Sequence, residues 1–275
     1  MISIAEGKTK IIIEDPRNRK EVRIKSKSDI TAGDGMSRHS LSGKNVLATE
    51  TTCNCFSLLN QRGVPTHFIR QVSADTFVAK RVRMIPIEMV VRRIAFGSYL
   101  KRNTYVKEGA VFKILPVEFF LKDDSHHDPM MIWNEQKQIF DFYDPKKPIE
   151  NGFMDDLELP FEKIVYLPRS EEEINQLRKL AMETFLILEE AWAKQNVTLV
   201  DLKIECGHDM DGNLLVADVI DNDSWRIWPA GDKRQMKDKE NYRNLVSKVE
   251  KPSMDDLQKI KDDYAWVSQK TKLFL

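Results

Sequence analysis

Seven residues in the last third of the chain carry a charge pattern that could do chemistry. In Leu199-Val200-Asp201-Leu202-Lys203-Ile204-Glu205, apolar and charged residues alternate strictly. A period of two puts Val200, Leu202 and Ile204 on one face of a strand and Asp201, Lys203 and Glu205 on the other. Downstream, Asp211-Gly212 is a two-residue hairpin signal, and pairing Met210 with Asn213 sets Glu205 directly opposite Asp218. Like charges so placed repel unless a cation, a proton or a lysine sits between them. One reading is a Mg²⁺ site for substrate phosphates, because Mg²⁺ takes oxygen ligands and commonly uses one or two carboxylates. The other is a solvated strand face salt-bridged through Lys203, and a bulge at Gly207 would shift the register and move Asp218 away.

Three further clusters invite the same double reading. Gly7-Lys8-Thr9 matches the end of a phosphate-binding P-loop, but the motif's first glycine would fall at Ile2, so that arrangement fails. What remains is a hairpin turn with Lys8 and Lys10 beside it, which can lay backbone N–H groups and ammonium charge over phosphates, or is an ordinary turn. Thr31-Ala32-Gly33-Asp34-Gly35 allows close backbone approach to a ligand, as do many surface turns. Arg92-Arg93-Ile94-Ala95-Phe96-Gly97-Ser98 offers guanidinium forks, an N–H and a hydroxyl that suit a phosphate monoester, or surface ion pairs. Zinc at Lys122-Asp123-Asp124-Ser125-His126-His127-Asp128-Pro129 is disfavoured because a closed site needs three or four ligands and the cysteines are far off; the histidines are expected in an exposed loop. Cys53 and Cys55 fall at i and i+2 of an expected helix, where they do not face each other, and read as packing residues.

Short β-like runs at Thr9–Ile13, Glu21–Ile24, Thr76–Ala79 and Ile87–Val91 and a helix from Lys44 to Asn60, stopped by Gly63-Val64-Pro65, must position these groups. Met84-Ile85-Pro86 reads as a connector between a front lobe, residues 1–84, and a larger lobe, residues 85–275, within a single catalytic unit. Ser170-Glu171-Glu172-Glu173 is a capping box opening a helix to about Asn196 that buries Ile174, Leu177, Ala181, Phe185, Leu188 and Trp192. A second amphipathic helix is expected from Met254 to Thr271, and a long irregular stretch between Met131 and Pro168. The expected fold class is α+β: a small antiparallel front lobe, a larger α/β lobe and a cleft between them.

The sequence has 275 residues, 43 basic and 43 acidic, with 41% hydrophobic and 31% charged. That balance predicts a soluble globular protein with no field to hold nucleic acid or a membrane surface, and no apolar run approaches a spanning helix. Three cysteines, Cys53, Cys55 and Cys206, make no disulfide framework, and the Met1-Ile2-Ser3-Ile4 start lacks a signal peptide's pattern, so the cytoplasm is expected.

In combination these motifs are more specific. Gly7-Lys8-Thr9-Lys10, Ile30 to Gly35, Ile85-Pro86-Ile87-Glu88 through Arg92 to Gly97-Ser98, Lys122-Asp123-Asp124 with Asp128-Pro129, Leu199 to Glu205 and Ala217-Asp218 through Arg226 follow one another as in the phosphoribosylaminoimidazole-succinocarboxamide synthase (SAICAR synthetase) family. The run from Ala217 to Arg226 with Trp228-Pro229 resembles the synthase domain of the animal bifunctional purine enzyme. Phe96 departs from the small residue usual before Gly-Ser, Cys206 from a common aromatic, and the segment from Ile132 to about Pro168 is longer than the family's.

The resemblance implies a cytoplasmic homodimer using ATP and Mg²⁺ to join L-aspartate to the imidazole carboxylate CAIR through an acyl phosphate. It implies ATP contacts from Gly7, Lys8, Thr9, Lys10, Met84 and Ile85, and Mg²⁺ on Glu205 and Asp218. Lys203 with Asp201 would stand at the reacting groups, and Asp34, Arg92, Ser98 and Arg226 would hold CAIR; no residue is assigned to aspartate. A small-molecule kinase on the same scaffold and a non-catalytic nucleotide sensor are the alternatives.

Overall fold

The computed structural model describes residues 2–15, 17–33, 36–155, 157–249 and 251–275. Its first sheet is antiparallel and comes from the beginning of the chain: β1 (Ser3–Glu6), β2 (Lys10–Glu14) and β3 (Glu21–Ser26), with two later strands introduced below. The turn from β1 to β2 is closed by the Gly7 amide donating to the Lys10 carbonyl at 2.9 Å. β4 (Asp29–Ala32) and β5 (Ser37–Ser40) form a separate two-stranded ribbon that leads into α1 (Lys44–Gln61). Gly63, at φ +83°, takes the left-handed position after α1, as the Gly-Val-Pro signal predicts. β6 (Phe68–Ser73) and β7 (Thr76–Lys80) complete the first sheet in the order β1-β2-β3-β7-β6. Both cysteines of α1 are buried, as a packing role requires.

The second sheet is antiparallel and seven-stranded. It begins with β8 (Val82–Arg92), followed by the short α2 (Ser98–Arg102), β9 (Val117–Leu121), and the hairpin of β10 (Met130–Asn134) and β11 (Ile139–Tyr143). After α3 (Phe161–Ile164) and α4 (Glu171–Ala193) come β12 (Val197–Asp209), β13 (Leu214–Ala217) and β14 (Trp225–Pro229). Helices α5 (Glu240–Lys248) and α6 (Met254–Thr271) end the chain, α6 within the bounds expected from its periodicity. β12 is the hub: β8 lies along one edge, and β13 and β14 share the other. One face of this sheet packs on α4, whose Ile174, Leu177, Ala181, Phe185, Leu188 and Trp192 are all buried in the main core.

Three expectations are corrected. Met84-Ile85-Pro86 is no connector but part of β8; the strand survives the proline because the β8–β12 ladder shifts register between Glu205 and Gly207, opposite this segment, so the Pro86 position demands no donor. The stretch from Met131 to Pro168 is not irregular throughout: β10 and β11 pair over five positions and bury Met131 and Phe140 in the core. At α4 the Ser170 hydroxyl accepts from the Glu173 amide, but the Glu173 carboxylate takes the Arg169 amide at 2.8 Å, so the reciprocal arm of the box falls one residue early.

Candidate active site

The alternation on β12 holds. Val200, Leu202 and Ile204 are buried in the interior, and Asp201, Lys203 and Glu205 share the other face. The hairpin does not close as expected: Glu205 pairs with Ala217 and His208 with Leu214. The Asp209 amide donates to the Asn213 carbonyl, leaving a three-residue loop in which Gly212 takes φ +86°. Asp218 therefore stands just past the end of β13, at φ +65°, rather than opposite Glu205. Its carboxylate pairs with the Lys10 ammonium from the front sheet.

The carboxylate that does lie opposite Glu205 is Glu88 on β8. Lys203 Nζ bridges them, 2.9 Å from Glu88 and 3.0 Å from Glu205, and Lys122 Nζ reaches the other Glu205 oxygen at 2.7 Å. Burial alone would favour the neutral amine of Lys203, but Glu205 and Glu88 outweigh it and hold its pKa above the ordinary lysine value. Burial likewise opposes the charge of Glu205, and the Lys203, Lys122 and Lys10 ammoniums keep it below the usual carboxylate range. Burial lowers Lys10 to about 8, against the raising effect of Glu205.

Two cavities meet at this bridge. The first, about 500 Å³, gathers Gly7, Lys8, Thr9 and Lys10 from the front sheet with Glu205 and Asp218 from the second. Lys8 crosses it to Asp124 at 3.0 Å. The second, about 760 Å³, is lined by Arg92, Ser98, Arg102, Asp201 and Arg226. Glu88 and Lys203 line both.

The second cavity rests on a ladder of alternating charge. Glu118 accepts from Arg102 Nη2 at 2.7 Å and from Arg92 Nε at 2.5 Å; Asp201 accepts from Arg92 Nη1 at 2.8 Å and from Arg226 Nη1 at 2.6 Å; Arg226 Nη2 reaches Glu240 at 3.4 Å. Arg92, Arg102, Glu118 and Asp201 are all buried, and such charges are tolerable only when paired and hydrogen-bonded. Gly97 has φ +62°, and a Cβ there would meet Arg226 Nη2 at 2.8 Å, so both backbone and space call for glycine.

Of the residues singled out from sequence, Gly7, Lys8, Thr9, Lys10, Lys203, Glu205 and Asp218 share the first cavity, and Arg92, Ser98, Asp201, Lys203 and Arg226 the second. Met84 and Ile85 line a separate cavity of about 490 Å³ with Tyr166 and His208. Asp34 lies outside the described residues. Sequence reasoning gave no role to Glu88, Arg102, Glu118, Lys122 or Asp223. A charged residue inside an apolar strand was the available signal for Glu88 and Glu118. Asp223, held by Lys239 at 2.8 Å and the Tyr264 hydroxyl at 2.6 Å, lies within a quoted motif but needed the fold to show that it faces both cavities. In the Lys122 to Pro129 segment His127 is exposed, as expected, while His126 is half-buried; Asp123 is buried and pairs with His126 and Lys163, each at 2.8 Å. Among the described residues, no group of three or more His, Cys, Asp or Glu forms a metal cage.

The front sheet and the strand of lysines and carboxylates share one cavity beside a second lined by arginines, an arrangement whose charges suit anionic small molecules. The chain belongs to the SAICAR synthetase family, whose model matches residues 3–260. It is 43% identical to the phosphoribosylaminoimidazole-succinocarboxamide synthase of Roseiflexus sp. (strain RS-1), over 98% of this chain and 95% of that protein. It is 43% identical to the bifunctional purine synthesis protein purC/E of Dictyostelium discoideum over 98% of this chain, but spans only 26% of that protein. Among solved structures it resembles the phosphoribosylaminoimidazole-succinocarboxamide synthase of Ehrlichia chaffeensis, with TM-score 0.76, 25% identity and 98% of each chain covered. A SAICAR synthetase in complex with ADP gives TM-score 0.75 and 27% identity over 97% of this chain and 96% of that one.

Proposed function

We propose that this protein is an ATP-dependent carboxylate–amine ligase that joins L-aspartate to CAIR, giving SAICAR, ADP and phosphate. The observation that carries the reading is the position of Lys203 and Glu88 on the shared wall of the two cavities. A carboxylate is a poor electrophile. Transfer of the ATP γ-phosphoryl to one carboxylate oxygen of CAIR releases ADP and turns that oxygen into part of a leaving group. The aspartate amine then attacks the acyl carbon, the C–O bond to phosphate breaks, and the amine's proton is lost to give the amide. Both steps depend on positioning and on countering negative charge more than on new covalent chemistry by the protein.

In this reading Gly7, Lys8, Thr9 and Lys10 hold the ATP phosphates, with Met84 and Ile85 toward the adenine. Arg92, Ser98 and Arg226 take the phosphate and carboxylate of CAIR. Lys203, whose pKa is raised by its two carboxylates, stays protonated and serves as a fixed cation rather than a base. Asp201 orients Arg92 and Arg226. Glu205 and Asp218 would hold Mg²⁺: they face one cavity, and each is balanced by lysine, the charge a cation would take over. When bound, the ion supplies neutralisation of the phosphate oxygens. In this reading a front lobe, residues 1–84, carries the first sheet and a larger lobe, residues 85–275, carries all of the second but the start of β8, the two acting as one catalytic unit. The same reading makes the protein a cytoplasmic homodimer acting on small molecules, not on nucleic acid or a membrane. Among the described residues no helix is long and apolar enough to cross a membrane.

The test is ADP release with ATP, Mg²⁺, CAIR and L-aspartate, omitting each in turn and weighing the product. The reading expects release only when all four are present, with a product heavier by the aspartyl addition. Release that ignores aspartate would replace it with a kinase, and tight ATP binding without turnover with a nucleotide sensor.

A further inference from the structure

Phe96 lines neither cavity, yet two cations meet its ring: Arg226 Cζ lies 5.5 Å from the ring centroid and Lys233 Nζ 4.9 Å. Trp228 stands edge-on to the same ring at 5.3 Å, and Lys233 is tied to Glu108 at 2.5 Å, so the ring is held on several sides. Arg226 has its Nη1 on Asp201 and its Nη2 near Glu240, while its buried Nε has no hydrogen-bond partner among the described residues. Hydrogen bonds hold the two terminal nitrogens, and none among the described residues holds the Nε end. The Phe96 ring, 5.5 Å from the guanidinium carbon, restrains that end, because a guanidinium is attracted to an aromatic ring within about 6 Å. The absence of a Cβ at Gly97 leaves room for the guanidinium.

We propose that Phe96 is a positioning residue that restrains the Arg226 guanidinium and thereby sets the affinity of the arginine-lined cavity for the anionic groups of its substrate. This rests on the reading of that cavity as the CAIR site. The test compares Phe96→Leu, which keeps apolar bulk but loses the π face, with Phe96→Tyr, which keeps it. In Phe96→Leu the KM for CAIR is expected to rise about three- to tenfold, with kcat within about twofold of the parent and the KM for ATP unchanged; Phe96→Tyr restores the KM. In ¹⁵N-arginine-labelled protein the Arg226 Nε–H resonance is expected to shift in the Leu variant, as the ring current is lost, and to keep its position in the Tyr variant. An unchanged KM despite the spectral shift, a KM not restored by Tyr, or a matched fall in kcat and melting temperature would overturn the proposal. Should the parent protein not turn over CAIR at all, the ligase reading fails separately. Titration with inorganic phosphate then decides the inference: weaker binding in Phe96→Leu supports it and equal binding overturns it.

Discussion

Glu88 and Glu205 face each other across β8 and β12, and the ammonium of Lys203 is within 3.0 Å of both. Two carboxylates at one level of a sheet repel, so the lysine between them is a structural counter-ion and, in the proposed reaction, a cation held where transferred negative charge would collect. Replacing Lys203 with alanine is expected to lower turnover by about 100-fold or more, in the range seen for loss of a preorganised electrostatic group. The circular dichroism spectrum should keep its shape, because Lys122 and Lys10 still face Glu205. Unchanged turnover in Lys203→Ala would remove Lys203 from the reaction.

Glu118 tests the ladder beneath the second cavity. It is buried and joins Arg92 to Arg102, so Glu118→Ala leaves two buried guanidiniums short of a partner. Breaking a buried ion pair by removing one side costs about 3–5 kcal/mol. Urea unfolding is expected to show a loss of that size, and a loss below about 1 kcal/mol would mean that the arginines find other partners cheaply.

How much of this was legible in the sequence follows from what each feature depends on. The alternation from Leu199 to Glu205 is local, and the fold kept it; the same holds for the periodicities of α4 and α6 and for the hairpin turn at Gly7. The pairing of Glu205 was misread because Asp-Gly fits a two-residue turn, while the chain closes a three-residue loop with Gly212 left-handed. One residue of register was enough to exchange Asp218 for Ala217 as its partner. Glu88, Arg102 and Glu118 escaped because their roles are cross-strand or cross-element contacts that no spacing along the chain encodes. The β10–β11 hairpin escaped because Asp144-Pro145 and its neighbours made the whole region read as loop.

Gly207 marks the register shift between β8 and β12, and a Cβ there would fall 2.6 Å from the Arg83 carbonyl oxygen. Backbone cannot yield as a side chain can. Gly207→Ala is expected to cost about 1–3 kcal/mol, the range for an overpacked interior. Gly63→Ala, at a left-handed position with open space around it, should cost only about 1 kcal/mol of backbone strain. Melting temperatures of the two variants check the order, and an equal loss would contradict the close approach at Gly207.

Asp238 gives a pH dependence with a definite sign. It is buried and accepts from the amides of Ile227 and Glu240; burial pushes its pKa up to about 7, against those two amides and Arg226, with Asp201 adding to the rise. Between its ordinary value and 7 the folded state binds more protons than the unfolded one, so this group's contribution to stability falls as pH rises through that window and is constant above it. The wild type is therefore expected to gain melting temperature relative to Asp238→Asn as pH is lowered from 8 to 5. A difference that does not vary with pH would show that Asp238 titrates outside that window.

The central claim, transfer of phosphoryl to the CAIR carboxylate before amide formation, is tested most directly by isotope. CAIR carrying ¹⁸O in both carboxylate oxygens should yield inorganic phosphate with one ¹⁸O and SAICAR with one ¹⁸O in the new amide, detected by mass in a single turnover with ATP, Mg²⁺ and L-aspartate. Phosphate free of ¹⁸O in that experiment would contradict the acyl phosphate.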